Sequence, residues 1–247
     1  MFHLTFEEEL RQRRLFIAPV RNPAIILNVG TGTGYWAFDM ARMFPQTRIY
    51  MTDIALIQPD LIPVNIHPYL DDANEKWTWA VGSLDFVHLR GLAGCITNWR
   101  ATFADAWECM RPGAYIEVCD LSLRFGRQGD ETHSDDIWAR CSQLIREVAS
   151  SAGRALAIVE SDQCELWMRE AGFEIVTQRR VQAYVGTWHR AHKESGALLL
   201  KILLGIIEDY VTYTHYKAGR PLKEHRAYIK GLRDKLMEHS AGVFTEV

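Results

Sequence analysis

Glycine stands at every second position of Gly30-Thr31-Gly32-Thr33-Gly34, between the apolar run Ile25-Ile26-Leu27-Asn28-Val29 and a helical pattern carried by Ala37, Met40, Ala41 and Phe44. Glycine adopts positive φ without strain and leaves its N–H open to a close-approaching ligand. N–H groups at the start of a helix attract a ligand's anionic end. Asp53 closes the next apolar run, Ile49-Tyr50-Met51-Thr52, nineteen residues after Gly34. A carboxylate there, at the end of a second parallel strand, accepts hydrogen bonds from ribose hydroxyls. Loop and carboxylate together describe a nucleoside cofactor site.

The glycine spacing narrows the nucleoside. A dinucleotide site reads G-x-G-x-x-G/A as it opens its helix, whereas here the glycines fall at 30, 32 and 34, and Tyr35 stands where that pattern needs a small residue. A pyrophosphate does not fit this spacing.

Positioning such a loop takes alternating strands and helices, the pattern of a parallel sheet covered on both faces. Strands are expected near 25–29, 48–52, 65–70, 84–89, 114–119, 173–182 and 242–246, with helices filling the gaps. Arg111-Pro112-Gly113 stops a helix carrying Trp99, Phe103, Trp107 and Met110; Ser161 caps a helix that Gly172 ends. The fold expected is α/β, Rossmann-like, with seven strands in one mostly parallel sheet. Helical insertions are expected over about 126–158 and 188–239, within a single domain whose core covers about 22–182 and 240–247. His88, inside the fourth strand, reads as a packed core histidine.

Composition excludes several classes. With 247 residues, a net charge of −3 and only short basic clusters (Arg11-Arg13-Arg14, Arg179-Arg180), the chain carries no electrostatic footprint for nucleic acid. The five cysteines, Cys95, Cys109, Cys119, Cys141 and Cys164, contain no C-x-x-C, so neither a metal site nor a disulfide framework is expected. The acidic start Glu7-Glu8-Glu9 is wrong for a secretory leader, and the apolar stretch Ala197 to Ile207 is interrupted by Lys201 and Gly205 and too short to span a bilayer. No membrane is expected as a partner, and the compartment expected is cytoplasm or nucleus.

Beyond the loop, Tyr35-Trp36-Ala37, Phe44-Pro45, Thr52-Asp53-Ile54, Ile57-Gln58-Pro59, Asp71-Asp72-Ala73, Trp77-Thr78, Leu84 to Arg90, Leu92-Ala93-Gly94 and Arg111-Pro112-Gly113 follow in order. This series resembles the fungal LaeA-like (TAM-domain) class I methyltransferases over nearly the whole chain, most densely from residue 24 to 120. The resemblance implies S-adenosyl-L-methionine as cofactor and S-adenosyl-L-homocysteine as product. It implies transfer to an O, S or N atom of a small acceptor in fungal secondary metabolism. It equally allows a protein of this fold that transfers no methyl group, either a pericyclase or cyclase or a regulatory partner. A homodimer or a heteromeric regulatory complex is the assembly it allows, and the helical insertions are expected to roof the acceptor.

The cofactor residues implied are Asn28, Gly30, Thr31, Gly32, Gly34, Asp53 and Ile54 around the loop. Asp71, Asp72 and Ala73 would serve the adenine, Leu89 would pack on the adenosine, and Arg90 would meet the cofactor carboxylate or the acceptor. The sulfonium methyl is already electrophilic, so the protein mainly aligns the acceptor and offers a base. Candidates for the catalytic group are Asp120, His133 and Arg90, with Tyr210, Tyr213, His215 and Tyr216 in the later helices. Asn28 stands where the family usually carries an acid. Restoring it by Asn28→Asp is expected to tighten cofactor binding by roughly 1 kcal/mol.

Overall fold

The computed structural model describes residues 14–128, 137–154, 156, 158, 163–217, 219 and 221–247. The described residues separate into two compact units, one of residues 14–120, 158 and 163–179, the other of residues 121–128, 137–154, 156, 180–217, 219 and 221–247.

The first unit is built on five parallel strands: β1 (Ile25–Val29), β2 (Arg48–Asp53), β3 (Ile66–Leu70), β4 (Leu84–Arg90) and β5 (Met110–Cys119), in the spatial order β3-β2-β1-β4-β5. Strand order reverses beside β1, so the carboxyl ends of β1 and β4 flank the crevice where α/β sheets bind ligands. Parallel strands buried on both faces read as continuous apolar runs, and β1 and β4 obey this, with Ile26, Leu27, Val29, Phe86, Val87 and Leu89 all buried. Residues in register form rungs across the sheet. One joins Ile49, Ile26, Phe86 and Tyr115; the next, nearer the crevice, joins Met51, Asn28, His88 and Glu117.

Helix α1 (Tyr35–Met43) covers the face carrying those rungs, burying Trp36, Ala37, Phe38, Met40 and Ala41. It starts at Gly34, in the left-handed conformation, and ends at Phe44, which leaves the helical region ahead of Pro45. The segment from 15 to 18 packs on the same face, where Phe16 meets Phe86 edge-on at 5.6 Å and the Leu15 carbonyl accepts the Trp36 indole N–H at 2.7 Å. Helix α2 (Trp99–Cys109) begins at Asn98, whose side chain accepts from the Ala101 N–H at 3.2 Å. Helix α4 (Gln163–Ala171) ends at Gly172, φ 112°. A Cβ at Gly172 would stand 2.9 Å from the Trp107 indole, which also meets Phe173 edge-on at 5.0 Å.

Three carboxylates pin this unit, each holding two consecutive backbone N–H groups on one oxygen. Asp85 takes those of Ala24 and Ile25, Glu117 those of Ile17 and Ala18, and Asp120 those of Leu92 and Ala93, all at 2.6–2.8 Å. Charge-assisted bonds of this kind are about twice as strong as neutral ones.

The second unit holds an antiparallel sheet in the order β6 (Gly126–Arg127), β8 (Val243–Glu246), β7 (Gln182–Tyr184), together with helices α3 (Ile137–Ser151), α5 (Lys193–Lys217) and α6 (Leu222–Glu238) and a 3-10 turn over Arg190–His192. Gly196 lets α5 press against this sheet's chain: a Cβ there would stand 2.1 Å from the Gly186 carbonyl oxygen. Arg233 pairs with Glu208 at 2.5 Å across α5 and α6.

The strands therefore number five plus three among the described residues, rather than seven in one sheet. Of the stretch expected as a strand over 173–182, only its last residue is one; Val181 just before it exchanges both backbone hydrogen bonds with Val247 at 3.0 Å, while residues 173–180 form no strand. Met110 opens β5 by pairing with Leu84 instead of ending α2. The segment 71–83 forms turns in place of a helix. Ser161 lies outside the described residues. No described helix is long and apolar enough to cross a membrane.

Candidate functional site

All three loop glycines sit at positive φ: Gly30 at 60°, Gly32 at 58° and Gly34 at 81°. An L-residue pays about 1–2 kcal/mol for that conformation, so the alternation of glycine is a backbone requirement. The loop is closed by Thr31 N–H donating to the Thr52 carbonyl at 2.9 Å and by Gly34 N–H donating to the Thr31 carbonyl at 3.1 Å. The three glycines meet different surroundings. A Cβ on Gly30 would stand 2.4 Å from a methyl of Leu92, and one on Gly34 would touch the Phe38 ring at 3.1 Å. A Cβ on Gly32 would meet nothing within 4 Å.

Asp53, at the end of β2, turns onto this loop. Its Oδ2 accepts the Gly32 N–H at 2.7 Å and its Oδ1 the Ala55 N–H at 3.1 Å. Each oxygen keeps a further lone pair for a ligand hydroxyl. Gln58 completes the clamp by donating from Nε2 to the Gly32 carbonyl at 2.6 Å. Ile54, next to Asp53, is exposed.

Asn28 lies at the base of the loop, buried, with its Oδ1 accepting the Thr31 hydroxyl at 2.6 Å. Beside it His88 is fully buried and stacked on Trp36 at 3.8 Å, as its reading as a core histidine expects. Asp71 and Asp72 are exposed at the end of β3. Asp71 N–H donates to the Asp53 carbonyl at 2.9 Å, which brings this strand end to the loop. Asp72 Oδ1 accepts from the backbone and side-chain nitrogens of Asn74, both at 2.9 Å, and so shapes a turn, with Ala73 half-buried inside it.

The remaining expected residues divide. Leu89 is fully buried, on the sheet face opposite His88, and Arg90 is half-buried at the end of β4. Asp120 is buried and holds the Leu92 and Ala93 N–H groups at 2.6 Å, so it fixes the side chain that packs on Gly30. His133 lies outside the described residues. On α5, Tyr213 and Tyr216 face solvent and Tyr210 is half-buried, so the three tyrosines form no buried stripe; His215 is buried and its Nδ1 lies 3.1 Å from Nδ1 of His225. Sequence reasoning missed Gln58 and Leu92 as loop residues. Both stand inside the short motifs that carry the family resemblance, which was the available signal.

A family model described as a methyltransferase domain matches residues 2–178. The methyltransferase pytC of Aspergillus terreus is 32% identical over 205 residues, covering 81% of this chain and 61% of its own. The secondary metabolism regulator laeA of Fusarium oxysporum f. sp. lycopersici is 27% identical over 190 residues, covering 74% and 60%. This chain thus spans about three-fifths of the length of either relative. Among solved structures, the [4+2]-cyclase SpnF superposes over 98% of this chain and 78% of its own with a TM-score of 0.54 at 14% identity, a likeness of fold. With a matching family model over most of its length and a relative above 30% identity, the chain belongs to the methyltransferase-domain family.

Proposed function

We propose that this protein is an S-adenosyl-L-methionine-dependent methyltransferase acting on an O, S or N atom of a small molecule in fungal secondary metabolism. The observation that carries the reading is the open left-handed loop at Gly32, tied by its N–H to the Asp53 carboxylate. It offers backbone and ribose acceptor side by side and leaves the space a ligand needs. Gly30, Thr31, Gly32 and Gly34 would line the methionine part, with Asn28 beneath; Asp53 and Ile54 would hold the ribose, and Asp71, Asp72 and Ala73 the adenine. The bound cofactor supplies an electrophilic methyl on its sulfonium. The protein's share is alignment and, for a protonated acceptor, a base.

Asp120 is a positioning residue in this reading, since its two backbone bonds engage one carboxylate oxygen. Arg90, at the end of β4, would meet the cofactor carboxylate or the acceptor. We assign the helices within 126–158 and 188–239 to acceptor selection, within one functional domain, and the protein to cytoplasm or nucleus.

The test is calorimetric titration with S-adenosylhomocysteine, followed by incubation with S-adenosylmethionine and candidate metabolites. Binding with release of S-adenosylhomocysteine supports the reading. A thermal shift with NAD and none with S-adenosylhomocysteine overturns it. A second reading, a regulatory member working within a homodimer or heteromeric complex, draws on the likeness to the laeA regulator. It is favoured if the cofactor binds but no acceptor is methylated.

A further inference from the structure

Asn28, His88 and Glu117 stand side by side in register on β1, β4 and β5. They form a polar rung on a sheet face otherwise filled by Ile26, Ile49, Met51 and Phe86. The histidine ring lies flat on Trp36, with centroids 3.8 Å apart and planes 2° from parallel. A phenylalanine would satisfy that stacking. The imidazole brings polar nitrogens into a buried place, where they need partners of defined orientation.

Those partners fix the hydrogen pattern. Asn28 Oδ1 receives the Thr31 hydroxyl at 2.6 Å, which leaves Nδ2 to donate to the His88 carbonyl at 3.4 Å and toward His88 Nδ1 at 3.3 Å. A donor facing Nδ1 requires a lone pair there, so the neutral ring carries its proton on Nε2. That nitrogen points to Glu117 Oε1 at 3.9 Å. The other oxygen of Glu117 holds the Ile17 and Ala18 N–H groups at 2.7 and 2.8 Å. Polar side chains thus line up from the segment 15–18, through Glu117, His88 and Asn28, to Thr31 in the glycine loop, the Glu117–His88 step being an electrostatic approach at 3.9 Å and the others hydrogen bonds.

We infer that His88 is a positioning residue for the cofactor loop: its Nδ1 lone pair holds the Asn28 amide with the oxygen toward Thr31, and Glu117 sets the tautomer that makes this possible. The inference rests on the loop being the S-adenosylmethionine site. It goes beyond packing, because it makes loop geometry depend on one nitrogen of a side chain that never meets the ligand.

Two variants separate positioning from packing. His88→Phe keeps a ring on Trp36 and removes the acceptor; His88→Asn removes the ring and places an oxygen near the position of Nδ1. Affinity for S-adenosylhomocysteine is measured by calorimetry on folded, monodisperse protein, with thermal melting alongside. The expected result is a loss of about tenfold or more in His88→Phe, with His88→Asn binding within about threefold of wild type despite a lower melting temperature. The reverse order, Phe binding normally and Asn weakly, overturns the inference and leaves the cofactor reading standing. A wild-type protein that does not bind at all overturns the cofactor reading itself. Should His88→Phe not fold, the ring nitrogens of wild-type His88 carry the test by 15N NMR. Nε2 protonated, Nδ1 bare and its resonance moving on ligand addition supports the inference; a proton on Nδ1 at neutral pH overturns it.

Discussion

The Asp53 carboxylate and the Gly32 N–H meet at 2.7 Å across the mouth of the loop, joining the end of β2 to the turn that follows β1. One side chain therefore shapes the loop and, in the proposed reading, would also serve as the ribose acceptor. Asp53→Ala is expected to weaken S-adenosylhomocysteine binding by about tenfold or more, since a charge-assisted contact is lost. Asp53→Asn, able to accept from Gly32 through its amide oxygen, is expected to fall between. Equal affinity in wild type and the alanine variant, by calorimetry, would show that the carboxylate serves the loop alone.

Gly30 and Gly32 form a controlled pair, because their φ values, 60° and 58°, are nearly the same while their surroundings differ. Backbone strain of about 1–2 kcal/mol is common to both alanine variants. Gly30→Ala adds a clash with Leu92, whose backbone Asp120 holds in place, so it should lower the melting temperature further than Gly32→Ala. Gly32→Ala should instead lose more affinity than stability. Identical profiles for the two variants would contradict the open cradle at Gly32.

Asn28→Asp is expected, from the sequence, to tighten binding by about 1 kcal/mol. The structure reduces that expectation. The new carboxylate would face Nδ1 of His88 and, with Glu117 on the other side, draw a proton onto the ring. The imidazolium then offsets much of the added charge, and the gain in affinity should fall well short of the sequence estimate. Linkage gives the sign of the pH effect. A histidine held protonated by the fold contributes stability below the unfolded pKa of about 6.5, and that stability is lost as pH rises through the folded value. Relative to wild type, the variant should lose stability as pH rises and the ring gives up its proton. A His88 ring that stays neutral in the variant at pH 6, read by NMR, would rule this account out.

Cys164 gives a prediction away from the loop. Burial, with Asp120 and Glu165 adding to it, pushes its thiol up to about 12 from the ordinary 9.0. In the unfolded chain the thiol ionises first, so folding stability falls as pH rises from about 9 toward 12. Cys164→Ala should flatten that fall, seen as a smaller drop in the urea midpoint between pH 8 and about pH 10.5. The exposed Cys95 should meanwhile react first with a thiol reagent at neutral pH, where the buried Cys109 and the half-buried Cys164, both pushed up, hold their protons. Rapid labelling of Cys164 in the folded protein would contradict its burial.

The glycine loop and Asp53 were legible because their chemistry is local: three positive-φ positions must be glycine, and the acid follows at a set distance along the chain. The five parallel strands were legible for the same reason, as apolar runs bounded by turn residues. What depends on register was not. Nothing in the chain order says that Asn28, His88 and Glu117 share a rung, or that Leu92 closes on Gly30 under the control of Asp120. The stretch before β7 reads as a strand from its β-branched residues, yet ladder partners decide strands, and pairing with the last stretch of the chain starts only at Val181. The turn at Asp72 is likewise a matter of side-chain geometry: its carboxylate closes on Asn74, and the segment expected as a helix turns instead.

Glu117 grips Ile17 across a hundred residues of chain, and Asp85 grips Ile25 across sixty. During synthesis, the whole glycine loop and Asp53 leave the ribosome long before the strand that holds Glu117 exists. The emerging chain therefore carries the residues proposed to hold the cofactor while lacking the far-off partners that brace the sheet behind them. Long-range pairings of this kind form late and slowly. Ligand capture should thus switch on abruptly near residue 120 of the growing chain, and a nascent fragment stopped shortly before Glu117 should stay blind to S-adenosylhomocysteine.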